Sequence, residues 1–290
     1  MNLEARYRAT RLMPRGGQLE KPVALTTKCI PYFVPALTLL GLATVPSLCA
    51  QSSSATVAQP GNGVVQGRRL ALSHRGFAIT SSTDCDKPEA GPTLSVGTFF
   101  EDLRLLGDTA LVAIREWRHS DTATVDTTVL DRKTLRPLWS RTHFPDGSST
   151  VWEFRGRRVQ WTAAEPRVVS DWLDSTIDEP AFFAGAIELL LAASPRLSRL
   201  GSEMVFPLID LHMGPGKPSS FAVSTLTARV TRSEIVTLPS GGRVEAWVVS
   251  TDPHGWTYWI EQRKHEVIKW HVPPVESLCP TTYTIASPSP

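Results

Sequence analysis

Cysteine is scarce in this chain: of four in 290 residues, Cys29 and Cys49 fall in an apolar N-terminal stretch, and only Cys85 and Cys279 lie beyond it. No CxxC occurs, so neither a thioredoxin-like redox site nor a zinc knuckle is on offer. A surplus of one charge sign is missing too. Six of the 30 Lys/Arg and two of the 28 Asp/Glu lie in the first 50 residues, leaving 24 against 26 for residues 51–290. A body so close to neutral has no electrostatic footprint for nucleic acid or an anionic membrane surface. Beyond residue 50 no apolar run approaches the roughly 20 residues that a spanning helix needs. The sequence contains no GxSxG elbow, P-loop, strand-linked GxGxxG, HExxH or EF-hand loop. The chain therefore reads as non-enzymatic, with no cofactor.

The N-terminus carries the pattern of a secretory signal, assigned to residues 1–50. Arg6, Arg8, Arg11, Arg15, Lys21 and Lys28 form a basic flank, and no charge occurs from Cys29 to Gly67. The apolar centre runs from Ile30 to Ala50, and Leu48-Cys49-Ala50 before Gln51 supplies a small residue at the cleavage position. Translation from Met13 would still leave Arg15, Lys21 and Lys28 as the flank. Pro31, Pro35 and Pro46 interrupt the run, which argues against an uncleaved anchor, and bulky Leu48 argues against a lipid-modified Cys49. The mature protein is thus expected in the periplasm or outside the cell. There Cys85 and Cys279 either pair or remain as two free thiols near the chain ends.

Residues 51–93 read as a flexible linker and an irregular lead-in, because 51–67 are small, polar and contain Gly and Pro, and 84–93 hold two Pro and one Gly. Residues 94–273 read as one antiparallel domain, and 274–290 as a tail. Within the domain short runs alternate between turn signals: Gly107-Asp108, Asp131 to Thr134, Pro145-Asp146-Gly147, Arg155-Gly156-Arg157, Pro239 to Gly242, Asp252 to Gly255 and Arg263 to His265. In Val151-Trp152-Glu153-Phe154-Arg155 the aromatics face one way and the charges the other, and Arg158-Val159-Gln160-Trp161-Thr162 repeats the pattern. Val244, Ala246 and Val248 oppose Arg243 and Glu245, while Ile268, Trp270 and Val272 oppose Lys269 and His271. A sheet with one apolar face needs a cover.

The cover is a helix expected over 181–193, introduced by Asp178-Glu179-Pro180 and ended by Pro195. At helical spacing Phe182, Phe183, Ala186, Leu190 and Ala193 form one stripe opposite Glu188, the segment's only charge. The expected fold is α+β and mostly β: a half-barrel of about ten antiparallel strands curled around one inserted helix. The stripe, with Trp152, Phe154, Trp161, Val248 and Trp270 as its contacts, makes up the candidate apolar groove.

Several runs occur in a recognisable order: Asp131 to Leu138 (DRKTLRPL), Val151 to Val159, Pro180 to Ala186 (PAFFAGA), Gly241 to Trp247 and Trp259-Ile260-Glu261. Together, over roughly residues 97–272, they resemble a family of uncharacterised secreted bacterial proteins known only as a domain of unknown function. That resemblance implies a fold near the Lol-type lipoprotein carriers, a half-barrel closed by a helix, and with it a groove for an apolar ligand. It implies no catalytic residues.

The remaining candidates are weaker. Asp210-x-His212 places two metal-ligating side chains on one strand face, and His265 and His271 fall near the C-terminal hairpin, but no third ligand has a recognisable spacing. No metal is expected. Asp174, Asp178 and Glu179 read as acids ahead of a helix. Nine tryptophans, all beyond residue 50, would suit the lining of a ligand groove but read first as core fillers, since ordinary domains bury most of their large aromatics. The function expected from the sequence is an exported, non-enzymatic envelope protein whose half-barrel binds a lipid or a lipoprotein acyl chain. The alternative is a structural or partner-binding β module filled by its own side chains.

Overall fold

The computed structural model describes residues 55–82, 85, 92–166, 168–212, 220–274 and 279–287. Alternating side chains and glycine-containing turns build two antiparallel meanders. The first runs through β2 (Ser73–Ser82), β3 (Thr93–Leu106), β4 (Ala110–His119), β5 (Thr122–Asp131), β6 (Pro137–His143), β7 (Ser149–Arg155), β8 (Arg158–Glu165) and β9 (Val168–Thr176). The second runs through β11 (Glu203–His212), β12 (Ser220–Thr237), β13 (Arg243–Asp252), β14 (Thr257–Glu261), β15 (Val267–Val272) and β16 (Thr281–Ser287). Two short strands, β1 (Thr56–Val57) and β10 (Phe182–Phe183), pair parallel to β11. The turns sit where the sequence places them, and Gly107, Gly147, Gly156, Gly241 and Gly255 take the positive φ that such turns require.

Among the described residues sixteen strands, not about ten, form one continuous curled sheet. Both stretches read as irregular are part of it. In β2 the residues Arg75, Phe77, Ile79 and Ser81 alternate inward, and in β16 Tyr283 and Ile285 do the same. These two strands pair with each other, Tyr283 opposite Ile79 and Ile285 opposite Phe77, and so join the meanders. Their hydrophobic period is short and set among serines, threonines and glycines, so each looks like a loop until its partner is known. The linker reading also fails at Ala58 and Val65, which are buried in the main core. Residues 1–50 lie outside the described residues. Cys85 and Cys279 form a disulfide with Cα atoms 4.4 Å apart, just beyond the paired ends of β2 and β16.

The expected helix over 181–193 is a second correction. Phe182-Phe183 is extended and pairs with Leu208-Ile209; a 3-10 turn follows over Ala184–Ala186, and the helix α1 covers only Ile187–Ala192. The free edge of β11 offers the two phenylalanines backbone partners that a helix would forgo. Extended residues point to opposite sides, so Phe182 enters the main core and Phe183 a second one. The stripe is therefore split. The acids at Asp178 and Glu179 lead into this extended pair and cap no helix; both are exposed, and the Asp178 carbonyl accepts a hydrogen bond from Arg157.

The short helix is buried inside the curl of the sheet. Ile187, Leu189, Leu190, Leu191 and Ala192 are buried in the same core as Val248, Ile268 and Trp270. His265 Nδ1 lies 2.8 Å from the Ala192 carbonyl at the helix end, and the Ser194 hydroxyl donates to the Leu190 carbonyl. Around α1 the aromatics pack ring on ring: Trp270 stacks on Tyr283 at 4.4 Å, and Phe99 meets Trp117 at 4.9 Å. Leu190→Ala is accordingly expected to cost about 3 kcal/mol, as a buried Leu deletion in a tight core usually does. A urea midpoint unchanged from wild type would make α1 peripheral.

The sheet curls as a scroll rather than closing edge to edge. Register shifts in β12 between Val230 and Arg232, and in the β8–β9 pair, allow sharp bending. On β11 and β12 one face (Met204, Phe206, Leu208, Leu226 and Ala228) belongs to the main core. The other face carries Ile209, Leu211, Phe221 and Val223, and against it folds the concave side of β7, β8 and β9. Strand β9 approaches β12 here, yet the two do not pair.

Candidate functional site

The interlayer made by that overlap is the first half of the site. Its buried floor is Trp152 and Phe154 of β7, Val159 and Trp161 of β8, with Ile177, Ala181 and Ile209. Around them Ala163, Leu173, Phe183, Leu211, Phe221 and Val223 are only partly buried. The Trp152 ring centroid stands 5.4 Å from Phe183 and 5.6 Å from Phe221, and Phe154 stands 5.6 Å from Phe183. The partly buried rim follows from the topology: among the described residues β9 is the one long strand with a partner on a single side, so no further strand covers Leu173 and its neighbours.

The nine groove candidates thus separate. Trp152, Phe154, Trp161 and Phe183 meet in the interlayer, whereas Phe182, Ala186, Leu190, Val248 and Trp270 are packed in the main core. A single groove lined by all nine is corrected to one apolar interlayer beside one filled core. Leu211, Phe221, Leu173 and Val223 join the interlayer unannounced, because which strand lies over which is not a local property of sequence.

The second half of the site is a polar row across the concave wall. Cross-strand pairing aligns Arg75 with Glu101, Glu101 with Arg115, Arg115 with Asp126, Asp126 with Thr142 and Thr142 with Thr150. All but Thr142 are buried. Arg75 donates to Glu101 Oε1, Arg115 Nε donates to Glu101 Oε2 at 3.0 Å, and Arg115 Nη2 lies 3.5 Å from Glu188 of α1. Arg115 Nη1 donates to the Gly185 carbonyl, and Arg75 Nη1 to the Val267 carbonyl at 3.4 Å. Two guanidinium groups facing two carboxylates tie the 3-10 turn and α1 to the wall. The sequence reading misses this row although the signal is present. Period two puts Glu101 on the face of Phe99 and Leu103, and Arg115 on that of Ala113 and Trp117.

Burial alone would raise the Glu101 carboxyl, but the Arg75 and Arg115 charges and hydrogen bonds together hold it below the usual carboxylate range. Asp126 goes the other way: burial pushes its carboxyl up despite Arg115 and the donors around it. Those donors are Thr128 and Thr142 at 3.1 and 3.0 Å and Ser140 at 3.3 Å. A carboxyl whose folded pKa is raised favours folding while protonated in both states, and that contribution is lost as pH rises through the folded value. Asp126→Asn is therefore expected to match or exceed wild-type stability at pH 7, with the gain shrinking on acidification. Urea midpoints at neutral and acid pH check this; a variant weaker than wild type at pH 7 would contradict it.

The other candidates have local roles. Asp210 is buried and accepts the Ser224 hydroxyl, while the His212 side chain lies outside the described residues. His271 Nδ1 lies 3.0 Å from the Thr282 hydroxyl. Asp174 accepts from Arg158 and Gln160 across the β8–β9 pair, and the Arg158 hydrogen bonds hold its carboxyl down to about 2. Among the described residues no group of three His, Cys, Asp or Glu is placed to hold a metal ion, and no helix is long and apolar enough to cross a membrane.

No family model and no curated protein matches the chain. Among solved structures it is similar to the crystal structure of a β-barrel-like protein of a domain of unknown function, DUF1849, from Brucella abortus. The identity is 10% and the TM-score 0.44, over 75% of this chain and 97% of that one.

Proposed function

We propose that this chain is an exported, non-enzymatic binding protein of the bacterial envelope that takes an apolar chain into the interlayer between β7–β9 and β10–β12. The observation that carries the reading is the partly buried rim of Phe183, Phe221, Leu173, Leu211 and Val223 around Trp152 and Phe154, beside a strand that does not pair across the gap. Apolar surface left part-exposed at an unpaired seam gains free energy when an acyl chain covers it. A lipid or a lipoprotein acyl chain is the ligand class implied by the sequence resemblance to the domain-of-unknown-function family, through that family's expected kinship with Lol-type carriers. Export rests on the basic, proline-broken N-terminal segment ending at Ala50.

Titration with the apolar fluorophore 1-N-phenylnaphthylamine tests the reading. Saturable binding is expected, and Phe183→Ala and Phe221→Ala should each weaken it roughly tenfold, the loss from removing about 1.4 kcal/mol of ring contact. The filled main core favours the second reading, a self-packed structural module. A folded protein that leaves the fluorophore dark would establish that module instead.

A further inference from the structure

We propose that the interlayer ligand is amphipathic and that Trp161 and Thr150 receive its head, an uncharged carbonyl oxygen of an ester or amide. This rests on the interlayer being a ligand site and adds what the ligand must carry. Among the described residues the buried Trp161 indole Nε1 and Thr150 hydroxyl have no hydrogen-bond partner, in residues 2% and 6% exposed. Both lie on the concave face of neighbouring strands. Thr150 pairs with Ala163 and Trp152 with Trp161, so Thr150 and Trp161 are diagonal neighbours flanking the Trp152 ring. Burying such groups unpaired costs free energy, and an indole N–H can only donate. An acceptor oxygen arriving with the ligand answers both.

The charge of the head follows from the row on which Thr150 stands. Arg75 and Arg115 already face Glu101 and Glu188, and the neighbouring acid, Asp126, is itself pushed toward its neutral form by burial. A carboxylate head would enter where both cations of the row already face carboxylates, adding a third negative charge to two positive ones at the cost of its desolvation. A neutral ester or amide carbonyl takes the two donors without that penalty. The aromatic rim then covers the chain, and the polar end sits where the row meets the interlayer.

Displacement of 1-N-phenylnaphthylamine from the full-length protein at neutral pH decides the matter. Monopalmitoylglycerol should displace the probe at a lower concentration than palmitate, which has the same chain and a charged head. In Trp161→Phe and in Thr150→Val the concentration of monopalmitoylglycerol needed should rise about tenfold, the worth of one buried hydrogen bond. In Thr150→Val affinity for the probe itself should stay as in wild type, in Trp161→Phe the monopalmitoylglycerol value is compared relative to that variant's own probe affinity, and Thr150→Ser should restore the wild-type value. If the probe binds but both variants respond to monopalmitoylglycerol like wild type, or palmitate competes better, the head-group assignment is overturned while the interlayer site stands. If the folded wild-type protein does not bind the probe at all, both are overturned.

Discussion

Glu101→Ala is expected to destabilise the protein by about 3–5 kcal/mol, because it leaves two arginines buried without their carboxylate. Arg75 and Arg115 reach Glu101 from the strands on either side of it, and each is less than a tenth exposed. Neither can swing to solvent without leaving the concave wall. Arg115 also carries the contacts to Gly185 and Glu188, so the damage reaches the segment buried inside the curl of the sheet. Replacing the triad together (Arg75→Met, Glu101→Leu and Arg115→Met) is expected to recover most of the loss, since apolar substitutes of similar volume need no pairing. Chemical denaturation of the single and triple variants measures both effects; a single variant within about 1 kcal/mol of wild type would show the network to be dispensable. The same triad sets the acid side of the stability profile. Glu101 is held below its ordinary value when folded, so its contribution is present above the unfolded pKa and lost as pH falls through the folded one.

Removing the disulfide by changing both Cys85 and Cys279 to Ser is expected to have an effect of similar size. The two cysteines are 194 residues apart, and in the chain-entropy model a loop of that length is worth about 5 kcal/mol. The bond sits beside the β2–β16 ladder, where Thr281 pairs with Ser81 and the Ser81 hydroxyl donates to the Pro280 carbonyl at 3.2 Å. Among the described residues that ladder is the single paired join between the two meanders, so its opening unrolls the sheet from the middle. The loss should appear as a lower urea midpoint, and dithiothreitol should produce it in wild type but not in the double variant. Equal midpoints with and without the bond would mean that the ladder holds alone.

The parts of the fold legible in the sequence are the local ones. Turn positions from Gly107 to His265 follow from glycine and proline chemistry, and the inward side of β7, β8, β13 and β15 follows from period two. That Cys85 and Cys279 could meet is evident from the sequence; that they do meet depends on β2 pairing with β16 across the whole chain. Phe182 and Phe183 show where local reading fails. Their spacing suits a helix, but the unpaired edge of β11 draws them into an extended pair and sends the two rings to different cores. Strand β11 itself, EMVFPLIDLH, is apolar on successive residues because both of its faces are covered. Only the overlap of β7–β9 on β11–β12 reveals what covers the second face. The charged row is equally hidden, since a charge in an alternating strand is read as solvent-facing until its opposite number is found on the next strand.

A ligand with an acyl chain, held in the interlayer, should travel with the protein through purification. Native mass spectrometry of the protein purified without detergent, followed by lipid extraction, tests it most directly. A wild-type population heavier by the mass of an ester- or amide-linked acyl compound is expected, absent from Phe183→Ala/Phe221→Ala protein that remains folded. A wild-type protein with only its bare polypeptide mass, unchanged after incubation with monopalmitoylglycerol, would contradict it.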